Sequence, residues 1–216
     1  MDNAERIGLV VASAGARRLA GFDVRPAVVV AADSGLHAVM RKGWIPDCVV
    51  GDMDSVDPDA LAAAEYGGAV IERHATTKDE SDLELGLLAA KRLGVTDAHV
   101  IARGGGRLDH QLANLVVLAA PHLEPMRVMA TIGDHRVWVV RGRRSVRLTV
   151  GSHLAIHAVG GPATVTTSGV AFPLDGEILS AFEARGIANE VVGEPVRLDV
   201  TSGVVLVVSS PAEPSA

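Results

Sequence analysis

The sequence is poor in cysteine, in aromatic residues and in basic charge. Its 216 residues include one cysteine, Cys48, which excludes an internal disulfide and lies in an apolar run typical of a small buried residue. Aromatic residues make up only 3%, so a core must be built from valine, alanine, leucine and isoleucine. The formal net charge of −6 argues against a nucleic-acid partner, which usually requires a basic face.

Other features are absent as well. No run approaches the roughly 18 apolar residues of a membrane span, so we expect no membrane partner. The chain does not start with a basic stretch followed by an apolar run, and we therefore expect a cytoplasmic protein. The phosphate-loop pattern Gly-x-x-x-x-Gly-Lys-Ser/Thr, the dinucleotide fingerprint Gly-x-Gly-x-x-Gly and the hydrolase elbow Gly-x-Ser-x-Gly are all missing.

The first part of the chain alternates short apolar runs with helical patterns. The runs of strand length are Ile7–Ala12, Ala27–Ala32, Cys48–Val50, Ala69–Glu72 and His99–Ala102. Helices are predicted from Pro58, over Ser81–Leu93 and over Leu108–Ala119, with Asp57 and Ser81 as N-caps. Strands that alternate with helices indicate an α/β domain with a mainly parallel sheet, predicted for residues 1–125.

After Pro125 the pattern becomes all-β. Runs rich in valine and threonine are separated by glycine-containing turns, which indicates a β-sandwich domain over residues 126–216, with a boundary near Glu124–Arg127. The predicted strands are Val128–Ile132, Val137–Val140, Val146–Val150, Leu154–His157, Thr164–Thr167, Val196–Val200 and Val204–Val208.

Asp52 and Asp54 follow a strand-like run within the segment Gly51-Asp52-Met53-Asp54-Ser55. In a loop leaving a strand, both carboxylates can converge on one ion, and Mg²⁺ prefers oxygen ligands of this kind. A plain turn explains the pattern equally well, because aspartate bonds its own backbone in turns.

Two further segments allow both a structural and a functional interpretation. Ser81-x-x-Glu84 is a capping box, and Asp82 in the first helical turn is favoured by the helix dipole whether or not it binds a ligand. The run Gly104-Gly105-Gly106-Arg107-Leu108-Asp109-His110 leads into a helix and forms a potential anion site, where Arg107 can pair with phosphate oxygens. The alternative is that the three glycines form a merely flexible loop.

Together these segments resemble the thiamine pyrophosphokinase family over nearly the whole chain and in order. The motifs that carry the resemblance are Ala32–Gly35, Ile45–Asp47, Gly51–Ser55, Lys78–Leu85, Gly105–Asn114, Thr167–Leu174 and Arg185–Glu190. The resemblance implies an N-terminal α/β domain that binds ATP and a C-terminal β-sandwich that binds thiamine. It also implies transfer of pyrophosphate from Mg-ATP to the hydroxyl of thiamine with release of AMP.

The resemblance further implies a homodimer with the thiamine pocket between domains of different subunits, and it assigns roles to individual residues. The implied Mg–ATP carboxylates are Asp52, Asp54, Asp82 and Asp109, of which Asp52, Asp54 and Asp82 are the expected metal ligands. The implied nucleotide contacts are Asp33, Lys78, Arg107 and Asn114. The implied thiamine contacts are Ser168, Phe172, Asn189 and Glu190. Asp82 or Asp109 is the expected acceptor of the hydroxyl proton.

Three departures from the family pattern affect these expectations. Ser81 replaces a threonine, and Phe172 replaces a tryptophan or tyrosine, which retains stacking but removes the polar group. Ala184 and Ala188 stand where the family usually has hydroxyl residues. Two alternatives therefore stay open: a pyrophosphotransferase with another alcohol acceptor, and a non-catalytic regulator that binds nucleotide or thiamine.

Overall fold

The structure is a computed structural model that describes residues 5–13, 19 and 21–211. The chain forms two compact units, Met1–Gly133 and Asp134–Ala216. The first contains parallel strands with helices, and the second contains only antiparallel strands. This distribution agrees with the fold class predicted from the sequence at the level of secondary-structure composition.

The first unit contains six parallel strands. They are β1 (Ile7–Val11), β2 (Val28–Ala32), β3 (Cys48–Gly51), β4 (Val70–Arg73), β5 (Asp97–Ala102) and β6 (Arg127–Ile132). Their order across the sheet is β6-β5-β1-β2-β3-β4, and every pair is parallel. The five residues of β2, Val-Val-Val-Ala-Ala, are all buried, as expected for a strand covered on both faces.

The described residues of the first unit form four α-helices, two of which begin at local sequence signals. They are α1 (Gly35–Arg41), α2 (Pro58–Tyr66), α3 (Asp82–Arg92) and α4 (Leu108–Leu118). The Asp57 side chain accepts a hydrogen bond from the Asp59 N–H at 2.9 Å, and Ser81 Oγ accepts from the Glu84 N–H at 3.2 Å. Both predicted N-caps are therefore confirmed. Among the described residues, no helix has the length and apolar character needed to cross a membrane.

Helices cover both faces of the parallel sheet. Leu9 and Val11 of β1 pack in a cluster with Leu36 and Val39 of α1 and with side chains of α2. Val10, between them in β1, faces α3, where a Cβ at Gly86 would lie 2.7 Å from its side chain. Alternate residues of a strand thus face opposite layers, and each buried valine contributes about 1.5 kcal/mol or more to the free energy of folding.

The described residues of the second unit form two sets of four neighbouring antiparallel strands. The first set has the order β12-β9-β14-β7, with β7 (His135–Val140), β9 (His153–Ala158), β12 (Asn189–Glu190) and β14 (Val205–Ser210). The second has the order β11-β10-β13-β8, with β8 (Arg143–Val146), β10 (Ala163–Ser168), β11 (Glu177–Leu179) and β13 (Val196–Ser202). Burial alternates along β9, β10 and β13, so these strands bury one face and expose the other.

Two strands differ from the prediction. Arg127–Ile132 pairs in parallel with β5, so this strand belongs to the first unit, and the division falls after Gly133 rather than near Glu124–Arg127. The predicted strand Val146–Val150 is wrong, because the observed strand ends at Val146 and begins at Arg143. Its arginines are tolerated since β8 is the last strand of its sheet, where charged side chains face water.

Candidate active site

The carboxyl ends of the parallel strands carry most of the predicted site residues of the first unit. Asp33 follows β2, Asp52–Asp54 follows β3, and the glycine-rich segment Gly104–Gly106 follows β5. The strand order reverses at β1, because β2, β3 and β4 lie on one side of it and β5 and β6 on the other. In open α/β sheets, ligands bind outside the carboxyl ends of the strands at such a reversal.

Three carboxylates form a cluster at this edge, called the acidic cluster here. One oxygen each from Asp33, Asp52 and Asp54 lies within 4.8 Å of the others. Asp33 reaches the other two because β2 and β3 are adjacent, with Ala32 opposite Val50. Three carboxylate oxygens at this separation are a suitable ligand set for a hard divalent cation.

The backbone of the acidic cluster is strained. Asp33 has a φ of 48° and Met53 a φ of 66°, a region that costs a non-glycine residue about 1–3 kcal/mol and is enriched at functional sites. The Met53 side chain is buried in the core, whereas Asp52 is half-buried and Asp54 is exposed. At Gly51, a Cβ would lie 3.2 Å from the Cβ of Asp33, so glycine permits the close approach of the two loops.

Hydrogen bonds and mutual repulsion set the charge state of the acidic cluster. The Asp54 N–H donates to Asp52 Oδ1 at 3.2 Å, and this bond is the main reason why the pKa of Asp52 is lowered. The pKa of Asp54 is raised, first by its side-chain hydrogen bond with Asp52 and then by the Asp52 charge. The charges of Asp33 and Asp82 act in the same direction. A bound cation would relieve this repulsion.

One oxygen of the cluster is buried without a hydrogen-bond partner among the described residues. The Ser55 hydroxyl donates to Asp33 Oδ2, whereas Asp33 Oδ1 has no partner. Ser13 Oγ, directly after β1, is also buried without one. Buried polar atoms are rarely left unpaired, so both atoms indicate space for a ligand at this edge of the sheet.

Lys78 joins the acidic cluster to helix α3. Its Nζ lies 2.9 Å from Asp82 Oδ1 and 3.8 Å from Asp52 Oδ2, and its side chain is only 12% exposed. Burial by itself would lower the pKa of Lys78, but the hydrogen bond to Asp82 and the nearby carboxylate charges outweigh burial and raise it. Lys78 is therefore a fixed positive charge beside the cluster, and Asp82 is its ion-pair partner at the start of α3.

The glycine-rich loop and its two charged residues form a separate part of the edge. Gly105 and Gly106 have φ values of 76° and 90°, and α4 begins without a side-chain cap. Arg107 donates to both oxygens of Asp109, at 3.1 and 2.5 Å, and this pairing lowers the pKa of Asp109. Asp109 lies on α4 and is not one of the carboxylates of the acidic cluster. Asn114 is half-buried on α4.

The second unit contains a cavity of about 410 Å³ that includes two predicted thiamine contacts, Phe172 and Asn189. Phe172 is 69% exposed, so it does not act as a core residue. The Asn189 side chain accepts from the Phe172 N–H at 3.0 Å and donates to the Phe172 carbonyl at 2.7 Å. Asn189 thus fixes the backbone that carries the ring. Glu177 and Arg185 form an ion pair in the cavity wall, and Ala188 also lines it.

The other two predicted thiamine contacts lie elsewhere in the second unit. Ser168 lines a different cavity, together with arginines of β8 and β13. Glu190 is exposed at the end of β12, opposite His153. The described residues thus divide the predicted thiamine set between two cavities and one exposed position.

Some site residues were missed or given another role by sequence reasoning. Asp33, expected as a nucleotide contact, occupies the position of a third metal ligand, which was expected for Asp82. Ser55 was not singled out, although it follows Asp54 directly. The pairing of Lys78 with Asp82 had no local signal, since Lys78 lies in the loop before α3 rather than on the helix.

The fold and the acidic cluster define the first unit as an α/β domain with a candidate metal–polyphosphate site at the carboxyl edge of its sheet. Residues 25–130 match the family described as "Thiamin pyrophosphokinase, catalytic domain". "Thiamine pyrophosphokinase 1" of Oryza sativa subsp. japonica is 26% identical over 212 residues, which cover 93% of this chain and 78% of that protein. "Thiamine pyrophosphokinase" of Bacillus subtilis (strain 168) is 27% identical over 100 residues, 46% of this chain and 47% of that protein.

Solved structures with the same fold cover nearly the whole chain. The thiamine pyrophosphokinase from Bacillus subtilis has a TM-score of 0.82 at 18% identity and covers 96% of this chain and 100% of its own. Thiamin pyrophosphokinase from Candida albicans has a TM-score of 0.72 at 15% identity, covering 97% and 90%. These matches support the assignment of the chain to the thiamine pyrophosphokinase family and to this class of enzyme.

Proposed function

We propose that the protein transfers the diphosphate group of ATP to the hydroxyl of thiamine, giving thiamine diphosphate and AMP. The observation that carries the proposal is the acidic cluster, in which Asp33, Asp52 and Asp54 converge beside the buried charge of Lys78. The family resemblance supplies the acceptor. In our proposal the first unit is the ATP-binding catalytic domain and the second is a thiamine-binding β-sandwich.

The residues of the acidic cluster fit Mg²⁺. Their donor atoms are all carboxylate oxygens, and Asp33 Oδ1 is buried without another partner among the described residues. Asp33, Asp52 and Asp54 would hold the ion, which when bound neutralises charge on the polyphosphate. Asp82 stays the predicted further ligand or the proton acceptor, and its present partner is Lys78.

The side chains around the cluster then have separate tasks in the reaction. The thiamine hydroxyl oxygen forms a bond to the β-phosphorus of ATP. The bond between the β-phosphorus and the oxygen that bridges to the α-phosphate breaks, and the electron pair of this bond leaves with AMP. Lys78, held by two carboxylates, offers a fixed positive charge to the transferring group. Arg107 is exposed and can exchange Asp109 for phosphate oxygens. While Arg107 remains paired, the lowered pKa of Asp109 makes this carboxylate a weak proton acceptor.

We assign thiamine to the cavity beside Phe172. An exposed aromatic ring fixed through its backbone by Asn189 supports stacking on the pyrimidine ring, worth about 0.5–1.5 kcal/mol beyond area burial. Phe172→Ala should raise the KM for thiamine roughly tenfold and leave the KM for ATP and the melting temperature nearly unchanged. Equal increases of both KM values would contradict this assignment.

A product assay tests the reaction. The protein is incubated with ATP, Mg²⁺ and thiamine, and the nucleotides and thiamine esters are separated and quantified. We expect AMP and thiamine diphosphate in equal amounts. ADP with thiamine monophosphate would refute transfer of a diphosphate group.

A parallel incubation with other primary alcohols tests the acceptor. Ala188 lines the cavity where the family usually has a hydroxyl residue, and this observation favours a different alcohol if thiamine fails. AMP formation with another alcohol but not with thiamine would establish that alternative. Nucleotide binding without turnover under any condition would favour the non-catalytic regulator.

We also propose that the protein is cytoplasmic and, from the resemblance alone, that it is a homodimer. Sedimentation equilibrium should then give twice the chain mass of 22.4 kDa. A mass of 22.4 kDa across the accessible concentration range would refute the dimer.

A further inference from the structure

A second cleft lies on the exposed face of the sheet β11-β10-β13-β8, and we call it the arginine cleft. It has a volume of about 380 Å³. The lining residues that matter here are Arg143, Ser145, Thr166, Ser168, Arg197 and Asp199. All come from the second unit, and none belongs to the acidic cluster or to the cavity beside Phe172.

The strand register places these side chains in two rows. Arg197 in the central strand β13 is opposite Ser145 of β8 on one side and Ser168 of β10 on the other. In the next row, Asp199 is opposite Arg143 and Thr166. Because directly opposite residues share a face and neighbouring strands lie about 4.8 Å apart, one guanidinium is flanked by two hydroxyls within about 10 Å.

The charge of the cleft is not balanced by its own residues. Arg143 Nε donates to Asp199 at 2.9 Å, and the Arg144 guanidinium donates to the Val139 carbonyl at 3.1 Å. No acidic residue in the described part of the chain forms an ion pair with Arg197. The two arginines and one aspartate on this face therefore form a positive cleft on a protein whose formal net charge is −6.

The strands that form the arginine cleft are anchored by buried side chains on the other face of the sheet. Leu198, between Arg197 and Asp199, is buried, as are Val146 and Thr167 in the neighbouring strands. Thr167 Oγ1 also accepts a hydrogen bond from the Leu174 N–H at 2.9 Å. Side chains on regular, anchored strands keep their positions better than those on loops, so the donors are arranged before a ligand arrives.

We propose that the arginine cleft binds the phosphate group of a small phosphorylated molecule. A guanidinium donates to two oxygens of one phosphate, and the two serine hydroxyls can donate to the remaining oxygens. Arg197 is the central donor, Ser145 and Ser168 are the flanking donors, and Arg143 contributes positive charge from the next row. This site goes beyond the proposed transfer reaction and does not depend on it.

The test is a titration of the full-length protein with inorganic diphosphate, followed by amide chemical shifts. Mg²⁺ is left out, since the acidic cluster without a cation repels anions, and ionic strength is held constant with chloride. Shifts should be confined to residues 143–145, 166–168 and 197–199. A second titration with AMP distinguishes a phosphate ester from the free anion. A lower dissociation constant for AMP than for diphosphate would identify a nucleotide or similar ester as the ligand.

Two substitutions and a matched control complete the experiment. Arg197→Gln should weaken binding tenfold or more, and Ser168→Ala two- to tenfold, as expected for a charged and a neutral hydrogen bond. Arg147→Gln removes an exposed arginine outside the cleft and should leave binding unchanged. The spectrum of each variant reports whether its fold is intact.

Three results would overturn the proposal. Equal binding by Arg197→Gln and Arg147→Gln would mean that diphosphate senses only general charge. Shifts confined to the loops of the acidic cluster would place the ligand elsewhere. A change in sedimentation of Arg197→Gln without any effect of diphosphate would identify this face as an interface between copies of the chain.

Discussion

Asp54→Asn should separate catalysis from stability at the acidic cluster. The hydrogen bond with Asp52 and the surrounding negative charges raise the pKa of Asp54, so its ionised form is unfavourable in the folded protein without a cation. Asp54 is exposed and contributes no core packing. We therefore expect a melting temperature without Mg²⁺ that equals or exceeds that of the unmodified protein. Turnover should fall by about 10², a loss typical of removing one charge-stabilising group.

The shift of the melting temperature on addition of Mg²⁺ tests whether the acidic cluster binds a cation. A cation at a hundred times its dissociation constant stabilises the folded protein by about 2.7 kcal/mol, which corresponds to roughly 5–11 °C for a chain of this size. Asp54→Asn should lose most of this shift. Asp59→Asn, the same change at an exposed position in the first turn of α2, should retain both the shift and the turnover. If Asp54→Asn retains both, the segment is a simple turn and our interpretation of the cluster is wrong.

Three other substitutions or modifications test separate contacts. Lys78→Met should lower the free energy of unfolding in urea by about 1 kcal/mol and abolish most turnover, while Lys78→Arg should restore part of both, because Asp82 regains a partner. Asn189→Ala should lower the free energy of unfolding by about 1–3 kcal/mol, because two hydrogen bonds to the Phe172 backbone are lost, and should raise the KM for thiamine but not for ATP. An unchanged KM for thiamine would contradict the positioning role of Asn189. Burial raises the pKa of Cys48 to about 12, so only a fraction of about 10⁻⁴ of the thiol is ionised at pH 8. Iodoacetamide should therefore label Cys48 rapidly only in denaturant, and rapid labelling of the native protein would refute its burial.

The elements that could be predicted have local signals. The buried run of β2 and the caps of α2 and α3 are specified by residues adjacent in sequence, and their observed bounds differ from the predictions by at most one residue. Asp57 and Ser81 accept the hydrogen bonds that their residue types predict. A cap depends on a few neighbouring atoms, so no knowledge of the tertiary fold is required.

The elements that could not be predicted depend on distant partners. The run Arg127–Ile132 is equally compatible with a sandwich strand or a sixth parallel strand, because an apolar period does not specify a neighbour. Its pairing is fixed by β5, where Arg127 lies opposite Asp97 and forms an ion pair with it. The two-residue strand β12 is too short to give any period and is defined only by its contact with β9.

The same distinction applies to the candidate site. The spacing of Asp52 and Asp54 suggested a shared ion, and both contribute to the cluster. The role of Asp33 could not be derived, because it depends on β2 lying beside β3 in the sheet. Lys78 was expected among the nucleotide contacts, whereas its ion pairs with Asp82 and Asp52 follow from the loop that precedes α3.

Asp33 combines three unfavourable features that a bound cation would explain together. Its backbone has a φ of 48°, its Oδ1 is buried without a hydrogen bond among the described residues, and two further carboxylates lie within 4.8 Å. A simple turn accounts for the first feature only, since aspartate tolerates this conformation. The second and third features each oppose folding unless positive charge is supplied. Lys78 supplies part of this positive charge through its ion pair with Asp52, but no described residue pairs with Asp33 Oδ1. A bound cation would pair with this oxygen, so the cluster is better explained as a cation site than as a turn.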